Sequence, residues 1–148
     1  MSDTQGAARG TLRNNVVKLS GTHTMDLAVT SILEDDGGTD IAIPSNATNI
    51  HISLIVTTAI TGPATFTIGD GTDADRYGTA IAIAAATTAG TADYTSDGLD
   101  GTSHAVIVAA GADHTITFTG AAATAFTAGV IDWSLYYETV TELTAALP

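Results

Sequence analysis

Three aspartates fall close together in the run Ile68-Gly69-Asp70-Gly71-Thr72-Asp73-Ala74-Asp75-Arg76-Tyr77-Gly78. Carboxylates this dense, bracketed by glycines, are the oxygen ligands that a Ca2+ ion takes. Asp70, Asp73 and Asp75 are therefore the candidate ligands of a Ca2+ or other cation. Their offsets do not match the helix–loop–helix calcium loop, which needs ligands at positions 1, 3 and 5, Gly at 6 and a bidentate Glu at 12. The competing reading is a tight turn between strands, where Asp and Gly supply the turn conformations. In that case Arg76 pairs with one of the aspartates, and no cofactor is expected.

Two other acidic, glycine-containing stretches, Glu34 to Asp40 and Asp93 to Gly101, repeat this composition without a fixed ligand spacing. They read as solvated loop tips. The histidines, His23, His51, His104 and His114, form no His-x-His or His-x-x-x-His pair, so no metal-binding spacing is present. Ser103-His104 with Asp100 supplies the residue types of a hydrolytic triad. However, no nucleophile elbow surrounds that serine, and adjacent residues on one strand or turn do not converge as triad members do. Gly69-x-Gly71 is followed by neither a helix nor a GK[ST] sequence, so it is no phosphate loop. These patterns point to no catalytic residue, and the chain reads as a structural or interaction protein.

Charge narrows the partners. The chain carries 16 acidic and 4 basic residues, a net charge of −12. Arg9, Arg13 and Lys18 lie near the start, and Arg76 is the one cation beyond them. Phosphate contacts need clustered Lys and Arg, so nucleic acid is excluded as a partner of the body. Self-repulsion of this size weakens a compact state at ordinary salt and is screened at molar salt, where the Debye length falls to about 3 Å. A high-salt milieu is the expectation. The absence of cysteine excludes disulfides and thiolate metal sites. No apolar run reaches the length of a membrane span, and the start shows neither the cationic nor the apolar region of a secretory signal. The expectation is a protein made in the cytoplasm, with no membrane partner.

The elements that must position these residues are strands. Residues 1–15 have the polar, Gly-containing composition of an arm, and 16–148 form one domain. Ile50, Ile52, Leu54 and Val56 alternate with His51, Ser53 and Thr57. Ala64, Phe66 and Ile68 alternate with threonines, and so do His114, Ile116 and Phe118. In the last strand, Val130 to Val140, Ile131, Trp133, Leu135 and Tyr137 point inward while Asp132, Ser134, Tyr136 and Glu138 point outward. Weaker strands are expected at Asn15–Leu19, Thr24–Thr30, Ile41–Ile43, Thr79–Ala84 and Ala105–Ala109. Eight or nine short strands separated by Gly/Asp/Thr turns predict an all-β, antiparallel sandwich or jelly roll. Val16-Val17-Lys18-Leu19 is the candidate for a strand added to a neighbouring subunit. With Arg9 and Arg13 it makes the arm the candidate partner-binding element.

The run from Ile50 to Gly78, with its Phe-x-Ile-Gly-Asp-Gly-Thr-Asp-Ala-Asp-Arg-Tyr-Gly segment, resembles small β-rich virion proteins of tailed viruses. So does Thr127-Ala128-Gly129-Val130 leading into Leu135-Tyr136-Tyr137-Glu138. The resemblance implies a non-enzymatic capsid decoration or cement subunit in the virion. It would be a homo-oligomer, with a trimer favoured, bound to the major capsid protein or other virion subunits. No site residues carry over. Together with the acidic composition, it implies a virus of a halophilic archaeon. A tail tube or fibre subunit is the first alternative. The second is a carbohydrate- or surface-binding module, whose mark would be an exposed cluster drawn from Trp133, Tyr136, Tyr77 and Tyr94.

Overall fold

The computed structural model describes residues 12–45, 47–90 and 113–142, and they form two antiparallel sheets packed face to face. In chain order the strands are β1 (Leu12–Thr24), β2 (Thr30–Ile32), β3 (Ala42–Ile43), β4 (Ala47–Thr61), β5 (Thr65–Asp70), β6 (Gly78–Ala82), β7 (Thr88–Gly90), β8 (His114–Gly120) and β9 (Ala128–Glu142). One sheet has the order β1-β9-β4-β7. The other runs β2-β8-β5-β6, with β3 also paired to β8. This is the all-β sandwich expected from the alternation. The expected strand at Ala105–Ala109 lies outside the described residues.

Alternation places the core. On β9, Ile131, Trp133, Leu135 and Tyr137 are buried; on β4, Ile50, Ile52, Leu54 and Val56 are buried, with Ser53, Ile55 and Thr57 exposed between them. The facing sheet contributes Phe66 and Ile68 from β5 and Ile116 and Phe118 from β8. Phe66 meets Phe118 and Phe126 edge-on, with ring centroids 6.2 and 6.4 Å apart, the arrangement that aromatic quadrupoles favour. Ala64 departs from the expected pattern: it is exposed, and β5 begins one residue later.

β1 is longer than the expected Asn15–Leu19 strand. It starts at Leu12, inside the stretch of arm composition, and pairs residue by residue with β9, from Leu12 opposite Glu142 to Thr24 opposite Val130. Thr24–Thr30 is not a strand. After Thr24 the chain drops Met25 into the core, exposes Leu27 and rejoins a sheet only at Thr30. β4 is bent by register shifts at Thr48/His51, Val56/Thr58 and Thr58/Thr61, the bulges that curve a long strand across a sandwich. Asn49 sits at the first of them with φ 50°. Gly129, at φ 145°, lies so close to Ile60 that no side chain fits there.

Candidate functional site

Asp70 ends β5 on the same strand parity as Phe66 and Ile68, so its carboxylate turns toward the interior and its side chain is buried. Such burial requires partners. Oδ1 accepts the backbone N–H groups of Thr72 and Asp73, each at 2.8 Å, and Oδ2 lies 2.7 Å from Arg76 Nε. That last approach is off the N–H axis, so it is an ion pair and not an aligned hydrogen bond. His114 Nδ1 stands 3.8 Å from the same oxygen. Asp73 Oδ1 accepts the Asp75 N–H at 3.3 Å, and Asp73 Oδ2 is 4.0 Å from Arg76. Ala74 lies directly against Gly69, where a Cβ would collide with its backbone, and the Ala74 carbonyl accepts the Thr67 hydroxyl. The loop thus folds back on β5, and its first carboxylate serves turn and ion pair together. Among the described residues, no group of three His, Cys, Asp or Glu side chains is placed to hold a metal ion.

A second polar cluster has no signal in the sequence beyond the presence of its residue types. His23 on β1 and Ser31 on β2 are both buried, and His23 Nε2 lies 2.8 Å from Ser31 Oγ. Ser31 Oγ donates to Asp26 Oδ2 at 3.0 Å and accepts the Asp26 N–H at 3.0 Å. Its one proton is therefore committed to the carboxylate, and His23 must donate from Nε2. Nδ1 is then the acceptor, and the Glu34 N–H meets it at 3.3 Å. The neutral Nε2–H tautomer satisfies every member. Burial holds the His23 pKa below its ordinary value, partly offset by the charges of Asp26 and Asp40. A serine nucleophile requires its proton to point at the histidine. Here it points at the aspartate, so the trio is a structural network.

Among the described residues, the outward face of the β1-β9-β4 sheet is mostly polar. Across it run the rows Lys18–Tyr136–His51 and Ser20–Ser134–Ser53. Tyr136 donates its hydroxyl to Glu138 Oε1 at 2.8 Å, and Asn49 Nδ2 donates to Glu138 Oε2 at 2.9 Å. These two donors hold the Glu138 pKa below its ordinary value, and the shared proton raises that of Tyr136. His51 meets the Tyr136 ring edge-on at 5.8 Å. Where the serines leave space, a shallow depression of about 300 Å³ is lined by Ser53, Leu54, Ile55, Asp132, Trp133 and Ser134. The exposed aromatic cluster of a sugar-binding surface does not form among the described residues, since Trp133 and Tyr77 are buried. Tyr94 lies outside them, and so do Asp100, Ser103, His104 and the acidic stretch from Asp93 to Gly101.

No protein-family model matches the chain, and no curated protein matches it. Among solved structures, a chain of the cyanophage Pam1 capsid asymmetric unit superposes with a TM-score of 0.49 at 17% identity. The match covers 88% of this chain and 86% of that chain.

Four of the five residues assigned to partner binding fall on β1. Val16, Val17 and Lys18 lie opposite Glu138, Tyr137 and Tyr136 of the same chain, so this run already has a strand partner on one side. Arg13 also lies on β1, while Arg9 lies outside the described residues. Val16 is 51% exposed, and Lys18 is exposed beside it. Among the described residues β1 is terminal in its sheet, so its other side carries no described strand. The acidic loop Glu34–Asp40 reaches that side. Asp35 Oδ1 accepts the Gly37 and Thr39 N–H groups and closes the loop, and Asp36 Oδ1 accepts the Thr22 N–H at 2.8 Å. No helix among the described residues is long and apolar enough to cross a membrane.

Proposed function

We propose that this chain is a virion structural protein, a capsid decoration or cement subunit that joins other subunits without catalysing a reaction. The observation that carries this reading is the position of β1. The strand lies along the outer border of the sheet, at the end of the one cationic stretch of an otherwise acidic chain. A rigid sandwich with a long strand border and a basic segment beside it is suited to contacts between subunits. The polar groups at its centre support the same reading, because Asp70, His23 and Ser31 are buried and committed to internal partners.

The finer assignments are a closed homo-oligomer, with a trimer favoured, a partner in the major capsid protein or another virion subunit, and a high-salt habitat. Light scattering on the purified protein in 3 M KCl and in dilute buffer tests them. A discrete oligomer in salt that dissociates on dilution is expected, since a −12 chain repels its copies when unscreened. A mass that grows without limit means open head-to-tail contacts and selects the tail tube or fibre subunit. A monomer at both salts refutes assembly. Removing residues 1–11, which precede β1, is expected to leave the sandwich folded and to abolish incorporation into particles.

A further inference from the structure

Among the described residues, the outer side of β1 is the longest strand border. As far as the described residues go, the other terminal strands, β2, β3, β6 and β7, span 3, 2, 5 and 3 residues, against 13 in β1. Short borders resist pairing with other chains, whereas a long one is a template for it. One contact shows which backbone groups face outward. The Thr22 N–H donates to Asp36, which is not on β9, so the polar groups of Thr22 point away from β9. Strand alternation and the unbroken register turn the N–H and C=O groups of Val16, Lys18 and Ser20 the same way. Asp36 occupies this side at Thr22. Among the described residues, no strand pairs with it between Val16 and Ser20.

Two properties define what fits there. The first is charge: from Val16 to Ser20 the strand carries Lys18 and no carboxylate, and the outward N–H of Thr22 takes an aspartate oxygen. The second is an unfinished apolar step. Val17 and Leu19 face inward and pack on the core but stay half-buried, while Tyr137 and Leu135 opposite them on β9 are fully buried. A second β1 is a poor occupant, because antiparallel pairing centred on this run sets Lys18 against Lys18.

We propose that the outer border of β1, from Val16 to Ser20, receives an extended acidic strand of a partner polypeptide. Its apolar side chains cover Val17 and Leu19, and a carboxylate lies beside Lys18. This deepens the assembly role proposed above and rests on it: β1 receives a strand and is not itself lent to a neighbour.

The test uses the full chain and a nine-residue peptide of alternating Val and Glu, compared with the same peptide carrying Lys for Glu. Fluorescence anisotropy in 0.1 M KCl is expected to show the acidic peptide binding at least about tenfold more tightly, a preference that Lys18→Glu removes. Residue-resolved hydrogen exchange is expected to show new protection at the Val16, Lys18 and Ser20 amides and none at Val17 and Leu19. Ser20→Pro deletes one outward N–H without touching a bond to β9, so it is expected to abolish binding while the protein stays folded. If that variant does not fold, the exchange pattern of the unsubstituted chain decides. Equal or absent binding of the two peptides, or protection elsewhere, overturns the proposal. So does protection of these amides that rises with protein concentration alone, because the occupant is then a second copy. A discrete oligomer without peptide binding removes only this inference, whereas peptide binding by a permanent monomer removes the assembly role.

Discussion

Replacing Arg76 by Met keeps most of the stem's packing and removes the guanidinium. Asp70 then retains the Thr72 and Asp73 N–H groups on Oδ1, but Oδ2 loses the counter-charge that stood 2.7 Å away. Removing one partner of a buried pair costs roughly 3–5 kcal/mol, because the remaining charge stays desolvated. Arg76 itself is 25% exposed, so water reaches part of the site, and the lower end, about 3 kcal/mol, is expected. For a chain of this size each kcal/mol moves Tm by about 2–4 °C, which gives a fall of about 6–12 °C. Urea unfolding followed through Trp133, the one tryptophan and a buried one, reads the same loss at 25 °C. Adding Asp70→Asn to Arg76→Met removes the stranded charge and is expected to recover at least about 1 kcal/mol relative to the sum of the single changes. If Arg76→Met lies within about 0.5 kcal/mol of the unsubstituted protein, or the two changes simply add, the coupling argued for this loop is wrong.

Three further outcomes are expected. Burial lowers the His23 pKa, so the unfolded chain binds the extra proton first as pH falls; stability is full above the ordinary value of 6.5 and declines below it, by at most about 1.4 kcal/mol per pH unit. Urea midpoints at pH 7.5 and 5.0 for the unsubstituted protein and His23→Gln measure this, and an equal acid loss in both would assign it to other groups. Ala80 and Ala86 hold φ of 53° and 67°, where a Cβ costs roughly 1 kcal/mol, so Ala86→Gly is expected to raise Tm by a few degrees, and a lower Tm would contradict the strain. Gly62, at φ 112°, has the Ala125 carbonyl where a Cβ would sit; Gly62→Ala is expected to cost more than about 2 kcal/mol, and a neutral result by calorimetry would refute that contact.

What could be read from the sequence follows from which forces are periodic. Ile131, Trp133, Leu135 and Tyr137 alternate with polar residues because β9 separates core from solvent, and the same holds for Ile50 to Val56. Arg76 pairing with an aspartate was legible because no other cation lies near the loop in sequence. β1 was only partly legible: Asn14, Asn15 and Gly21 are poor strand formers, and the ladder to β9 sustains the strand through them. Gly21 is required because Asp36 Oδ1 and the Trp133 ring fill the space of its Cβ, a contact made by a distant loop. The Thr24–Thr30 stretch alternates weakly, yet Met25 is drawn into the core and breaks the run. His23, Ser31 and Asp26 come together only when β2 crosses to the facing sheet, so no spacing announces them.

The position of β9 has a kinetic consequence. It is the inner strand that joins β1 to β4, and it places Leu12 beside Glu142. On the ribosome, β1 and β4 emerge long before the strand that unites them, so the backbone edges they present to β9 wait without a mate. Closure of this sheet is a late, long-range event with a large loop entropy to overcome, the profile of a slow folder. During that interval the edges that β9 will fill are open to wrong partners, and the like charges spread over the acidic chain keep nascent copies apart until β9 arrives.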